Sequence, residues 1–311
     1  MALVLVLALA CSPPAAPSAP AAPSPDAAPS PAAAPSPAAP SIPAAPQDVF
    51  PAPARVVAVG DLHGDVRSAI GALQLAKVVD AAGHWVGGAT WLVQTGDVLD
   101  RGRDGRTMID FLARVEAEAA AAGGRALLLD GNHEVMNLQG DWRYVADLED
   151  FPGSTDAERD AARRAWATTG AGGAWVKAHA MTVQVGDTVF VHGGIDANWA
   201  SRGVSGLNAL FREAIAGPVE PKPAVLGSDG PLWNRGYLLE DEPVACAELT
   251  RALTALGARR MVVGHTTQDS GRIASRCDGA LYGIDTGISA YYGVHPSALV
   301  IEGDVVTRLP E

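Results

Sequence analysis

Gly96-Asp97-Val98-Leu99-Asp100-Arg101-Gly102 follows the apolar run Thr90-Trp91-Leu92-Val93-Gln94, and these two stretches decide how the chain reads. The run is short, carries aromatic and β-branched residues and is bounded by glycine, the pattern of a buried parallel strand. The seven residues after it begin the loop at its carboxyl end. In open α/β sheets ligands bind in that crevice, and here two carboxylates and a guanidinium lie between two glycines. Asp97 can bridge two metal ions, because one carboxylate has two oxygens and a loop after a buried strand holds it rigidly. Taken alone, the same residues also make a surface turn in which Asp100 and Arg101 form a solvated ion pair.

The flanking segments repeat the design. Upstream, Arg55-Val56-Val57-Ala58-Val59 is a fully apolar strand that runs into Gly60-Asp61-Leu62-His63-Gly64-Asp65. Asp61 and His63 alternate by two, so in extended backbone both face one side and can share a cation. A helix with Ile70, Leu73 and Leu75 among its apolar residues follows, completing a strand-loop-helix unit. Downstream, the strand Arg125 to Leu129 leads to Gly131-Asn132-His133-Glu134. Asn132 offers a neutral oxygen to a metal, and His133 ordinarily titrates near neutrality, as a physiological acid or base must. Two later strands end alike: Thr188 to Val191 delivers His192-Gly193-Gly194, and Met261-Val262-Val263 delivers Gly264-His265-Thr266-Thr267. Met181 to Val185 precedes the first of them across Gly186-Asp187, a hairpin signal, and Gly303-Asp304 sets a second hairpin between Ala298 to Ile301 and Val305 to Leu309.

Between Asp141 and Ala178 the core pattern pauses. Thr155-Asp156-Ala157-Glu158 has the form of a capping box opening a short helix, and Gly170, Gly172 and Gly173 read as its terminator. Trp142, Tyr144, Trp166 and Trp175 either wall a substrate cleft or pack the insertion onto the core.

The chain has 311 residues and a net charge of -12. Residues 1–54 contribute only Asp26 and Asp48 to that charge, and no Lys or Arg, so the negative balance belongs to the remainder and disfavours a nucleic-acid partner. About 260 residues are enough for one α/β domain, here read as 55–311. Met1 to Ala10 is too short to span a bilayer but suits a signal-peptide core, and Ala10-Cys11 resembles a bacterial lipoprotein cleavage site. Ala8 stands where that pattern prefers Leu, and no basic residue precedes the run, as a start codon assigned too late would explain. Residues 12–54, almost only Ala, Pro and Ser, read as a disordered tether with a reach of up to about 130 Å. The expectation is an exported lipoprotein, periplasmic or at the cell surface, that meets the membrane only through a lipid on Cys11. With Cys11 so assigned, Cys246 and Cys277 are the cysteines left, and an oxidising compartment favours their pairing; two separate buried thiols are the alternative.

Gly60-Asp-Leu-His-Gly64, Gly96 to Gly102, Gly131-Asn-His-Glu134, His192-Gly-Gly194 and Gly264-His265 resemble the calcineurin-like metallophosphoesterases, in that family's order. Asp-Arg-Gly and Asn-His-Glu look like its phosphoprotein phosphatase branch. Pro231-Leu-Trp-Asn-Arg235 and the stretch Asn137 to Tyr144 look most like the bacterial-type Shewanella-like protein phosphatases. The resemblance implies an α/β fold, a four-layer αββα sandwich of two mixed sheets with flanking helices. It implies one divalent metal on Asp61, His63 and Asp97 and a second on Asp97, Asn132, His192 and His265. Thr267 stands where many relatives have a further histidine, so the first metal has fewer protein ligands and more water. Mixed nitrogen and oxygen donors suit Mn, with Fe or Zn as alternatives.

By the same resemblance, a metal-bridging hydroxide attacks phosphorus in line, and His133, oriented by Asp100, protonates the leaving oxygen. Arg101 clamps phosphate. Arg235 is either a second clamp or part of a structural ion pair. The implied substrate is a phosphorylated protein or peptide, on serine, threonine or tyrosine. Small phosphate esters and dinucleoside polyphosphates are the enzymatic alternatives, and a non-catalytic surface lipoprotein is the third. Arg276-Cys277-Asp278-Gly279 and Tyr282 to Gly287 replace the signature tail of the eukaryotic branch, so its substrate preference does not transfer. Nothing in the sequence specifies an oligomeric state.

Overall fold

The computed structural model describes residues 47–218 and 220–310. The signal segment, Cys11 and the tether up to Pro46 lie outside the described residues. Eleven strands and nine α-helices are described. The strands are β1 (Val49–Phe50), β2 (Val56–Val59), β3 (Trp91–Gln94), β4 (Arg125–Leu128), β5 (Thr182–Val185), β6 (Thr188–Val191), β7 (Arg260–Val263), β8 (Ala274–Arg276), β9 (Leu281–Gly283), β10 (Ala298–Glu302) and β11 (Val305–Leu309). The helices are α1 (Val66–Leu75), α2 (Gly105–Ala121), α3 (Asn132–Leu138), α4 (Asp156–Thr168), α5 (Ala171–Ala178), α6 (Ala197–Ala200), α7 (Gly203–Ala216), α8 (Gly236–Leu239) and α9 (Glu242–Leu256).

The strands form two mixed sheets, β1-β5-β6-β7-β9-β8 and β11-β10-β2-β3-β4. Period-two side-chain alternation turns these sheets into four layers. Val56 and Ala58 of β2 face inward and meet Val93, Phe190, Val262 and Leu299 in a core shared by both sheets. Val57 and Val59 face outward and pack with Leu73, Met108, Leu112 and Val115 of α1 and α2. On the far side Val189, Val191, Met261 and Val263 pack with Leu207, Phe211, Leu249 and Leu253 of α7 and α9. This is the expected αββα sandwich. Strands β2, β3 and β4 run parallel, as do β6, β7 and β9, so each trio presents its carboxyl ends together.

The folded domain begins earlier than Arg55. Strand β1 pairs in parallel with β5 through Val49↔Gln184 and Phe50↔Val185. Asp48 is buried 2.9 Å from Arg212 Nη2, and Phe50 meets Trp91 edge-on at 5.5 Å. Pro51-Ala52-Pro53-Ala54 resembles the Ala/Pro/Ser tract in composition, but the residues before it carry a charge and an aromatic ring that the sheet edge uses.

The Thr155 capping box forms as expected, with Thr155 Oγ1 accepting the Glu158 N–H at 3.2 Å. The glycines do not simply terminate that helix. Gly170 caps the start of α5, and Gly172 and Gly173 lie inside it. They are there because α5 crosses tightly against α4, where a Cβ on Gly172 would stand 2.7 Å from the Trp166 ring. Cys246 on α9 and Cys277 are joined in a disulfide, Cα atoms 5.4 Å apart. No helix among the described residues is long and apolar enough to cross a membrane.

Candidate active site

The six side chains expected to bind metal leave the two trios of carboxyl ends and meet between the sheets. All are buried. Asp97 Oδ2 lies 3.3 Å from His192 Nε2 and 3.8 Å from both His63 Nε2 and His133 Nε2. His192 Nε2 is also 3.0 Å from Asn132 Oδ1 and 3.0 Å from His265 Nδ1. Asp61 Oδ2 stands 4.0 Å from His63 Nε2, and both its oxygens accept the His265 N–H at 3.1 Å.

The ring nitrogens show what this arrangement needs. His63 Nδ1 meets the Leu99 carbonyl at 3.0 Å and His192 Nδ1 meets the Thr95 carbonyl at 2.9 Å. A carbonyl only accepts, so each Nδ1 carries the proton and each Nε2 points a lone pair into the cluster. Lone pairs of His63, His192, Asp97 and Asn132 thus converge, and His265 Nε2 is buried without a partner. A cation relieves that repulsion. Two sets of donors, Asp97-His192-His265 and His63-Asp97-His133, lie with their atoms within 4.8 Å of one another.

The electrostatics agree. Burial pushes His63 down to about 4 and His265 to about 2, which keeps both neutral as ligands must be. Burial, then the charges of Asp285 and Asp97, drives Asp61 well above the carboxylate range. Burial would also raise Asp97, but the positive charge that His192 and His133 carry when protonated outweighs it and holds Asp97 well below that range, as a bound cation would. His133 moves oppositely to His63 and His265: burial alone would lower it, yet Asp97 and a hydrogen bond to Asp100 set it above the ordinary histidine value. That bond joins His133 Nδ1 to Asp100 Oδ2 at 2.7 Å.

The loops that carry these groups are strained. Nine described non-glycine residues have positive φ, and five of them are His63, Asp97, Asp100, Arg101 and His265. Glu134 compensates. Its carboxylate accepts four backbone N–H groups, from Gly131 (2.7 Å), Asp97 (2.8 Å), Val98 (3.0 Å) and Leu99 (3.0 Å). It therefore ties the Asp97 loop to the start of α3, which bears Asn132 and His133. Burial, then the Asp97 charge, raises Glu134 to about 7.

Arg101 has its Cζ 3.6 Å from the Tyr144 ring centroid, and its Nη1 reaches Tyr291 Oη at 3.4 Å. Among the described residues Arg235 makes no ion pair: its Nη1 donates to the His265 carbonyl, and the residue lines a polar cleft with Trp233 and Asn234. Of the insertion's aromatics, Trp166 and Trp175 pack into the core, while Tyr144 reaches the site, 5.1 Å from the His133 ring.

Three contributions escaped the sequence. The staple role of Glu134 was hidden inside a motif read for its neighbours. Tyr291 and Tyr292, the latter 5.2 Å from the His63 ring, sit in a loop whose one signal is a tyrosine doublet after Gly287. Arg163 of α4 is fully buried, its Nη2 3.3 Å from Asp100 Oδ1. Nothing in an amphipathic helix singles it out.

This chain belongs to the calcineurin-like phosphoesterase family, whose sequence profile matches residues 54–269. It is a metal-dependent phosphoesterase, and its buried His/Asp clusters fit the two-metal site of that family. More particularly, it is protein phosphatase-like. Shewanella-like protein phosphatase 2 of Arabidopsis thaliana is 34% identical over 288 residues, covering 78% of this chain and 73% of that one. Shewanella-like protein phosphatase 1 of Plasmodium berghei is 32% identical over 264 residues, covering 80% and 72%. Among solved structures, the cold-active protein-tyrosine phosphatase of a psychrophilic Shewanella matches with a TM-score of 0.74 at 30% identity, covering 84% of this chain and 79% of that one.

Proposed function

We propose that this enzyme is a phosphoprotein phosphatase that hydrolyses phosphomonoesters, and that its substrates include phosphotyrosine. The observation that carries the reading is the His133–Asp100 pair, set beside the donor cluster with His133 Nε2 turned toward Asp97. Asp61, His63 and Asp97 would hold one divalent ion, and Asp97, Asn132, His192 and His265 the other. When bound, such ions, of Mn, Fe or Zn, supply charge neutralisation for the phosphoryl oxygens and an acidified water as nucleophile.

The chain's own residues do the rest. Asp100 accepts from His133 Nδ1, which fixes the ring and leaves Nε2 to give its proton to the ester oxygen as the bond from phosphorus to that oxygen breaks. Water contributes the new oxygen on phosphorus, and the products are the free alcohol or phenol and inorganic phosphate. Arg101 presents paired donors at fixed spacing to the phosphoryl oxygens, and Tyr144 beneath its guanidinium holds it flat. Arg235, tied to the His265 carbonyl, steadies that histidine.

Tyr144, Tyr291 and Tyr292 form an aromatic border around Arg101 and His63, which favours an aryl ester. The likeness to the Shewanella protein-tyrosine phosphatase supports the same preference. Matched phosphoserine, phosphothreonine and phosphotyrosine peptides, assayed with Mn, test it. Higher kcat/KM on the tyrosine peptide is expected, and turnover confined to small phosphate esters would overturn the phosphoprotein reading.

We propose also that the chain is exported and lipidated at Cys11, a reading supported by the Cys246–Cys277 disulfide. Wild-type protein is then expected with membranes, and Cys11→Ser released or blocked in maturation. Recovery from the cytosol with Met1 intact would overturn it.

A further inference from the structure

We infer that Arg163, on the insertion helix α4, is a positioning residue for the leaving-group step: it fixes the Asp100 carboxylate so that His133 can orient only one way. The inference rests on the reading of His133 above.

Arg163 is 0% exposed, and its guanidinium lies between two buried carboxylates. Nη2 is 3.3 Å from Asp100 Oδ1, and Nε donates to Asp147 Oδ1 at 2.9 Å. Asp100 has its other oxygen 2.7 Å from His133 Nδ1. A continuous line therefore runs from Asp147 through Arg163 and Asp100 to His133. Each member comes from a different element: the loop before α4, α4 itself, the loop after β3, and α3. The surroundings are shaped to keep the line straight. A Cβ on Gly105, at the start of α2, would stand 2.0 Å from Asp147 Oδ2, so only glycine lets that carboxylate sit where it does. The Trp142 ring covers the guanidinium at 5.1 Å.

Gluing the insertion to the core does not explain this construction. Desolvating a guanidinium and two carboxylates costs about as much as their attraction returns, and an apolar side chain of similar volume would anchor α4 as well. The fork of an arginine offers something an apolar residue cannot. It restrains Asp100, a residue with positive φ on a strained loop, from the side opposite His133. The insertion thereby reaches the chemistry without touching substrate.

The test compares Arg163→Met and Arg163→Lys with His133→Asn on two probes, a phosphoserine peptide and p-nitrophenyl phosphate. The alkyl ester needs a proton on its departing oxygen; the nitrophenolate does not. Arg163→Met is expected to lower kcat/KM on the peptide by about 10- to 100-fold, with a loss of less than about 3-fold on the aryl ester and full metal content. Arg163→Lys keeps the charge but not the fork, and is expected to show a smaller loss with the same alkyl selectivity. In a His133→Asn background either change is expected to add nothing. Equal losses on both probes, or additive losses in the double variant, would overturn the role given to Arg163. Where Arg163→Met does not fold, Arg163→Lys alone and combined with His133→Asn carries the same test. If His133→Asn itself loses equally on both probes, the acid role of His133 falls; Arg163 is then judged by non-additivity alone, which reports positioning of His133 whatever step it serves.

Discussion

The carboxyl ends of the strands and the segments outside the sheets furnish one site by different means. Asp61, His63, Asp97, Asn132, His192 and His265 leave the sheets within a few residues of a strand end, so the spacing of neighbouring strands, about 4.8 Å, already sets how far apart they stand. Tyr144 and Arg163 come instead from the insertion between Asp141 and Ala178, and Tyr291 and Tyr292 from the loop after β9. Strand-end groups sit on hydrogen-bonded ladders and a Glu134 staple. The others hold their places through side-chain packing, stacking and the buried ion pairs of Arg163 with Asp100 and Asp147. The strand ends thus carry the metal-ligand set, while the aromatic border and the buried support of Asp100 come from segments outside the sheets.

The sharpest way to break that division is at Asp97. Asp97→Asn removes the oxygen around which three histidines are arranged, so metal content and turnover are expected to fall together, by on the order of 10³-fold or more in kcat/KM. Full metal occupancy in the variant would show that Asp97 is not shared. Chelation of the wild type is expected to abolish turnover reversibly. It would also lower Tm by about 5–10 °C if metal is normally present near a hundred times its Kd. Faster amide exchange after chelation should be confined to the loops after β2, β3, β4, β6 and β7, and an equal rise in α4 would dissolve the distinction between the two regions.

His133→Asn comes next. A loss of about 10²- to 10⁴-fold is expected on alkyl phosphates, with a smaller loss on aryl phosphates and unchanged metal content. Loss of metal with His133 would instead place it among the ligands, a set its Nε2 already adjoins.

These strand-end residues were legible because each motif states its own chemistry. Asp-x-His after an apolar strand, Gly-Asn-His-Glu after another and two single histidines after two more can be read without coordinates, as can the hairpins at Gly186 and Gly303. The family resemblance that these motifs carry in their order then implied the sandwich. What stayed hidden depends on pairs far apart in the chain. Arg163 and Asp100 are 63 residues apart, and no local pattern links them. Phe50 was lost because composition, averaged over a Pro-rich tract, outweighed one aromatic residue. Gly172 and Gly173 were misread because glycine marks close approach as readily as a helix end, and only the neighbours, the Trp166 ring at Gly172 and the Thr168 carbonyl at Gly173, decide between the two.

The tyrosine border offers a finer test. Tyr292→Leu keeps bulk but removes the ring, and is expected to reduce the preference for phosphotyrosine over phosphoserine peptides by about 3- to 10-fold, the scale of one aromatic contact. Turnover of the phosphoserine peptide should stay within about twofold, since Tyr292 stands beside His63 without a hydrogen bond to the proton-transfer pair. A collapse on both peptides would place Tyr292 with the strand-end set.

The smallest effect on turnover is expected at the Cys246–Cys277 bond. It joins α9 to the turn after β8, with 31 residues of separation, and His265 lies inside the loop it closes. Two other restraints act on His265 directly. Asp61 accepts its N–H, and Arg235 donates to its carbonyl. The Cys277 N–H is held separately by Glu242 Oε1 at 2.9 Å, so the turn keeps a tie to α9 when the bond is cut. The paired variant Cys246→Ser with Cys277→Ser is therefore expected to keep kcat and metal content near wild type at 25 °C. Its stability is expected to fall by about 3–4 kcal/mol, because loop closure no longer restricts the unfolded chain. Chemical denaturation with and without reductant measures that loss, and thiol counting on denatured, unreduced wild type establishes that the bond forms. A fall in metal content in the variant would show that the bond holds the ligand itself, and that this outer element belongs with the strand ends after all.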